Sequence, residues 1–455
     1  MPDSTAPACS IVGLLDDGWD GLGAAARRRI ETATCIVGGG RTLRLIAAHA
    51  PAARLLDMDG ALTRVPGWIE EAVRAGGHAV VLATGDPLCH GIAGLLIGKL
   101  GAARTEVLPA PSTLQLAFAR LKKSWQEARF VSCHGADAGE WQADPHQPGP
   151  TPEHGLYRVV RAIAEHPLVA CFTGPANSPD RIARALLAAG HGAPGGDEDL
   201  RLSVVARLCL DDEAVFAGLS LQEAASRRFP EPNVVVIERT CVGPPLFGLD
   251  DLDYVQRTPE KGLITKLEAR ALSLAKLALR ADSRVWDIGA GSGSVGLEAS
   301  RIARHGHVWA IEKNPADAAN ARANARHLRA SNYSLFEGKA PAGLDAWPDP
   351  DAVFIGGSGG ELGELIALVL RRLAPDGRLV MNFVTLENLA TATSALATAG
   401  AAWEVTMLSA ARSQPILDMH RLAAQNPVWI VTARKAAQAR PRTPPSTRLA
   451  VHPTS

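Results

Sequence analysis

Seven residues, Asp287-Ile288-Gly289-Ala290-Gly291-Ser292-Gly293, place a carboxylate near the end of an apolar run and follow it with three alternating glycines. Arg284 to Ile288 reads as a buried strand, and Ser294 to Arg304 as the helix after it. Without a Cβ the backbone can turn sharply, and a ligand can rest against bare peptide. The helix start adds unpaired N–H groups at the strand ends, where α/β sheets take their ligands. Two ligands compete for such a loop. Gly291-Ser292-Gly293-Ser294-Val295-Gly296 satisfies the dinucleotide pattern G-x-G-x-x-G, and Glu312 ends the next strand where either ligand would offer ribose hydroxyls. Asp287 discriminates between them. A carboxylate entering the loop opposes a pyrophosphate but suits the cationic amino acid end of S-adenosylmethionine, so the residues point to methyl transfer.

A second glycine cluster ends the run Asp351 to Ile355: Gly356, Gly357, Ser358, Gly359 and Gly360. So many glycines at a strand end make a flat, open floor on which a bulky planar substrate could lie. Together with Gly262-Leu263-Ile264-Thr265-Lys266-Leu267-Glu268-Ala269-Arg270, these motifs resemble the decarboxylating methyltransferase domain of cobalamin biosynthesis. In its pattern T-K-x-E-V-R, Ala269 here replaces the valine. The resemblance implies a class I, Rossmann-like methyltransferase fold. It also implies cofactor contacts from Thr265, Asp287, Gly289, Ala290, Gly291, Ser292, Gly293, Glu312 and Ala340, and places Lys266, Glu268 and Arg270 at the substrate mouth. The plainer alternative for those three is a solvated helix start capped by Thr265.

The N-terminal half lacks that loop but carries ordered fragments after its strands. They are Thr84-Gly85-Asp86-Pro87, Pro109-Ala110-Pro111-Ser112-Thr113, Ser132-Cys133-His134-Gly135 and Phe172-Thr173-Gly174-Pro175. Singly each is a turn; together, over most of residues 9–240, they resemble the tetrapyrrole methylase family. That resemblance implies a class III fold with two α/β lobes holding S-adenosylmethionine between them, approached by Gly85, Asp86, Pro87, Ser112, Thr113 and Thr173. Two departures stand out. The family opens with G-x-G-P-G, whereas this chain has Gly13-Leu14-Leu15-Asp16-Asp17-Gly18, and Ala136 stands where an arginine is common.

These sites need elements to carry them. Short aliphatic runs such as Cys35-Ile36-Val37, Ala79-Val80-Val81-Leu82, Leu168 to Phe172 and Val234 to Ile237 alternate with Ala- and Leu-rich helical stretches, an α/β pattern. At 455 residues the chain exceeds one ordinary core. The reading is an N-terminal domain over 9–240, a Pro/Gly linker over 241–256, a second α/β domain over 257–435, and a disordered Arg/Pro-rich tail over 436–455. In the second domain, strands are expected at 284–288, 307–312, 351–355 and 378–384. Over the whole chain 47 basic and 47 acidic side chains cancel, so no global field draws nucleic acid or membrane. Seven scattered cysteines without a C-x-x-C pair argue against a disulfide framework or zinc site. With no signal peptide and no spanning apolar run, a cytoplasmic location is expected.

Fused in this order, the halves resemble the precorrin-6Y 5,15-methyltransferase (decarboxylating) family. The resemblance implies two S-adenosylmethionine molecules per chain, a tetrapyrrole substrate, methylation at two bridging carbons and loss of one carboxylate, in a homo-oligomer. An electron-rich tetrapyrrole supplies its own nucleophile, so the enzyme mainly aligns donor and carbon. Neither a catalytic acid or base nor a metal site is identified. Substrate carboxylates call for cations at the rim, with Lys266, Arg270 and Arg412 as candidates. The competing reading leaves only the C-terminal domain active, with the N-terminal one a degenerate binding module.

Overall fold

β-Branched and aliphatic runs bounded by Gly, Pro and Asp form the strands of the computed structural model, which describes residues 7–142, 147–192, 200–240, 245–257, 264–357 and 360–435. The expected tail over 436–455, Ser358, Gly359 and residues 241–244 of the expected linker lie outside these. The chain divides into two units, Met1–Asp144 with Pro152–Gly243, and Pro145–Thr151 with Pro244–Ser455.

The first unit holds two sheets. Strands β1 (Cys9–Leu14), β2 (Cys35–Gly38), β3 (Arg54–Asp57), β4 (Ala79–Thr84) and β5 (Thr105–Leu108) pair in parallel in the order β3-β2-β4-β1-β5. Strands β6 (Arg129–Ser132), β7 (Leu168–Phe172), β8 (Leu200–Ala206), β9 (Ala214–Leu219) and β10 (Asn233–Arg239) form the second, ordered β6-β7-β10-β8-β9 and mostly antiparallel.

The second unit is one seven-stranded sheet plus a hairpin. Its strands are β11 (Arg284–Ile288), β12 (His307–Glu312), β13 (Tyr333–Glu337), β14 (Ala352–Ile355), β15 (Arg378–Phe383), β16 (Ala402–Leu408), β17 (Ala411–Ile416), β18 (Met419–Ala424) and β19 (Val428–Arg434). The sheet order is β13-β12-β11-β14-β15-β19-β16, with β17 and β18 paired separately as the hairpin. From β11 the chain runs outward through β12 and β13, then returns to place β14 on the other side. The crevice between β11 and β14 is therefore the topological switch point, where α/β sheets bind ligands. Period-two alternation fills both faces: Trp286, Ile288, Val353 and Ile355 pack on one side, and Val285, Val308, Ala310 and Phe354 on the other.

The expected linker is only partly one. Leu249 and Tyr254 are buried in the core of the second unit, and Asp251 is 5% exposed. Asp251 is held there by Arg270, which the resemblance placed at the substrate mouth but which is fully buried. Arg270 donates to Glu298 at 2.7 Å, Asp251 at 3.2 Å and the Thr265 carbonyl at 2.8 Å, and also to the Leu249 carbonyl. Its guanidinium lies 4.9 Å from the centre of the Tyr254 ring, whose hydroxyl donates to Glu298. Arg270 is the fourth residue of the helix Leu267–Leu277, on its inner face, so its direction is set by helical phase. It fastens that helix and the 245–257 segment to the helix Ser294–Ile302, and it is not a substrate ligand.

Removing a partner from such a buried ion cluster leaves charges without compensation. Arg270→Leu should therefore destabilise the second unit by about 3–5 kcal/mol. The measurement is the urea midpoint of its unfolding transition; an unshifted midpoint would show that the cluster carries no stability.

Candidate functional site

A cavity of about 750 Å³ opens at the switch point of the second unit. Its floor is bare backbone. Gly289 follows β11 with φ of 71°, and a Cβ there would lie 2.4 Å from the Gly357 carbonyl oxygen and 2.6 Å from its nitrogen. The two glycine clusters thus touch, and both Gly356 and Gly357 line the cavity with Gly289 and Gly291. Gly360 is described but does not line it.

One wall is set by Glu312 at the end of β12. Both its carboxylate oxygens accept backbone N–H groups, from Gly291 and from Asn314, each at 2.8 Å. This leaves acceptor lone pairs at a fixed position on the cavity wall. Asn314 caps the helix Pro315–His327, accepting from Ala316 and Asp317. Asn314 and the neighbouring Lys313 escaped the sequence reading, although an Asn-Pro pair after a strand is a helix-start signal. Gly338, Lys339 and Ala340 continue this wall.

A second wall comes from Thr265, Lys266 and Ala269 at the start of the helix Leu267–Leu277. Thr265 does not cap that helix; Lys266 occupies the cap position without a side-chain bond. Lys266 is half exposed, with its ammonium 4.0 Å from Asp251. A third wall, unanticipated, is built by Asn382 and by Leu408, Ala410, Ala424 and Gln425 around the hairpin base. Glu268 and Arg412 line no part of the cavity. They bond each other through two contacts of 2.7 Å, which together with the charge of Arg412 hold the Glu268 carboxyl down at about 2.

Asp287 is also displaced from its expected role. It shares the face of β11 with Val285, under the helix Ser294–Ile302, and is 1% exposed rather than open to the cavity. One oxygen accepts the Gly296 N–H at 3.0 Å, and the other has no hydrogen-bond partner. Burial raises its carboxyl to about 7, opposed by the Gly296 bond and reinforced by the negative charge of Glu312. Ala290, Ser292 and Gly293 complete the turn without lining the cavity; Asn324 donates to the Ser292 carbonyl at 2.9 Å and steadies it.

In the first unit, backbone again meets backbone at strand ends. A Cβ on Gly13, near the end of β1, would fall 2.1 Å from the Gly85 carbonyl oxygen and 2.6 Å from the Ala110 nitrogen. Asp86 accepts the Leu88 N–H, and Ser112 caps the helix Thr113–Leu121 in a capping box with Gln115. Thr173 donates to the Asn233 side chain at 2.6 Å, while its carbonyl meets the His134 ring nitrogen at 2.8 Å. The His90 and Phe172 rings, 5.8 Å apart, bring the Pro87 and Thr173 segments together. In the turn where the resemblance expected G-x-G-P-G, and where Leu15 fills a glycine place, Asp16 pairs with Arg41, which also donates to Thr84 at 3.1 Å. Arg41 was not anticipated as part of this region.

Among the described residues no cluster of His, Cys, Asp and Glu could hold a metal ion, and no helix is long and apolar enough to cross a membrane.

Two family models match the chain: tetrapyrrole (corrin/porphyrin) methylases over residues 8–224, and the precorrin methyltransferase domain over residues 258–435. A precorrin-6Y C(5,15)-methyltransferase [decarboxylating] from Sinorhizobium sp is 33% identical over 85% of this chain and 87% of its own length. One from Mycobacterium tuberculosis is 29% identical over 93% of this chain and 99% of its own. A cobalt-precorrin-6B C(15)-methyltransferase (decarboxylating) from Salmonella typhimurium is 38% identical over 38% of this chain and 89% of its own. The chain belongs to the precorrin-6Y C(5,15)-methyltransferase (decarboxylating) family of S-adenosylmethionine-dependent enzymes.

Proposed function

We propose that this chain methylates precorrin-6Y at carbons 5 and 15 and removes one acetate carboxylate, yielding precorrin-8X, with one S-adenosylmethionine in each unit. The observation carrying this is the recurrence, in two unlike folds, of bare backbone converging at strand ends: Gly289 against Gly357, and Gly13 against Gly85. Relatives spanning both units carry both positions in their names, which does not favour a degenerate first unit. We assign the first unit to the class III fold and the second to the class I fold, in a cytoplasmic homo-oligomer that binds no nucleic acid.

The residues fit the cofactor in the second unit. Glu312 would accept hydrogen bonds from ribose hydroxyls, Ala340 would lie against the base, and the Gly289–Gly291 backbone would receive the amino acid end. When bound, the sulfonium supplies an electrophilic methyl group. The chain's own work is alignment: the glycine floor seats a flat ring system, and Lys266 offers a cation to its carboxylates. In the first unit, Gly85, Asp86, Pro87, Ser112, Thr113 and Thr173 would hold the second cofactor.

Mass spectrometry of the product from precorrin-6Y tests the function directly. Two added methyls with loss of carbon dioxide are expected; a single methyl would refute the bifunctional assignment. Gly289→Ala would drive its Cβ into Gly357 and should reduce calorimetric cofactor stoichiometry from two per chain to one. Two retained sites would remove this loop from the cofactor site. Asp287 yields a pH prediction. Its folded-state pKa lies above the ordinary 3.8, so the folded unit holds the proton better and loses stability as pH rises towards 7. Asp287→Asn, which keeps an acceptor for Gly296, should flatten that decline in the unfolding midpoint. Parallel profiles for parent and variant would mean that Asp287 does not titrate there.

A further inference from the structure

Two walls of the second unit's cavity come from segments far apart in sequence: the Thr265–Ala269 stretch, and the base of the β17–β18 hairpin. Arg412, the second residue of β17, joins them. It donates to both Glu268 oxygens at 2.7 Å and to Asp251 at 2.9 Å. The Gln425 N–H closes the hairpin base on the Ala410 carbonyl at 2.8 Å. Beyond its base the hairpin is exposed, with Leu417 at 92% and Leu422 at 75%. A two-stranded ribbon of this kind is marginally stable by itself, so its anchorage decides where it points.

We infer that Glu268, Arg412 and Asp251 form a latch that positions the hairpin and so sets the substrate wall of the cavity. They are positioning residues that do not themselves touch substrate. Sheet order says which ligand feels the latch. Glu312 ends β12 on one side of the β11–β14 crevice, while the hairpin grows between β16 and β19 on the other. The latch therefore governs the half of the cavity away from the ribose-binding wall, where the tetrapyrrole would lie; this step rests on the function proposed above. Arg412 keeps Glu268 ionised well below neutral pH, so the latch stays closed across the physiological range.

The test compares Arg412→Gln, Glu268→Gln, the double variant and Arg412→Lys in the full chain. The readouts are amide hydrogen exchange over residues 409–425, KM and kcat with precorrin-6Y, and calorimetric affinity for S-adenosylhomocysteine. Either single change should speed exchange at the hairpin base and raise the tetrapyrrole KM by roughly fivefold, with smaller effects on kcat and on cofactor affinity. The double variant should do no more than either single one, because both remove the same latch. Lysine, able to pair with Glu268 but not to span both acids, should rescue in part. A raised KM with unchanged exchange would overturn the latch in favour of direct substrate contact. Faster exchange with unchanged KM would equally overturn the link between hairpin and substrate wall. A parent enzyme inert towards precorrin-6Y would sink the substrate reading alone, and the exchange comparison would still decide whether the latch exists.

Discussion

At the switch point of the second unit, peptide lies on peptide with no side chain between. Gly289 and Gly357 are close enough that a single methyl on Gly289 would collide with the opposite backbone. Everything around the cavity depends on this approach. It lets the loop after β11 fold back so that Gly291 reaches Glu312, and it leaves the floor open rather than filled. The first unit reaches a similar result with different strands, where Gly13 presses on Gly85 and Ala110. Close approach of bare backbone thus occurs in two different sheet topologies.

Charge does the fastening beneath these surfaces, and the sites differ in how well it is compensated. Arg270 is surrounded by two carboxylates, two carbonyls and an aromatic face, so a fully buried cation is tolerated. Asp287 has a single N–H partner and no cation nearby, and its carboxyl rises accordingly. One buried charge consolidates the fold, while the other keeps the underside of the glycine loop close to a protonation change.

Strands were the most legible part of the sequence. Those expected at 284–288 and 307–312 match β11 and β12, because a largely apolar run stopped by Gly289 in one case and by Glu312 in the other leaves little choice of boundary. The glycine clusters were also readable, since their residue type alone implies close approach. What could not be read was direction. The T-K-x-E-x-R spacing is correct, yet helical phase turns Arg270 into the core and Glu268 towards Arg412, 144 residues further on. Asp287 misled in the same way, because strand alternation aims it under the helix rather than into the cavity. The hairpin wall was barely legible: within residues 408–428 only Arg412 was picked out, as a rim cation, and only tertiary pairing brings the rest to the site.

Asp251 shows where the second unit begins. Paired prolines made residues 241–256 look like a tether, but Leu249, Asp251 and Tyr254 are inner parts of the core that Arg270 organises. A piece cut at residue 257 would carry Arg270 and Glu298 without the acid and ring that complete their cluster, and Arg412 would lose one of its two anchors. An independently folding C-terminal half must therefore include the segment from about residue 245. Much of what reads as connection is foundation.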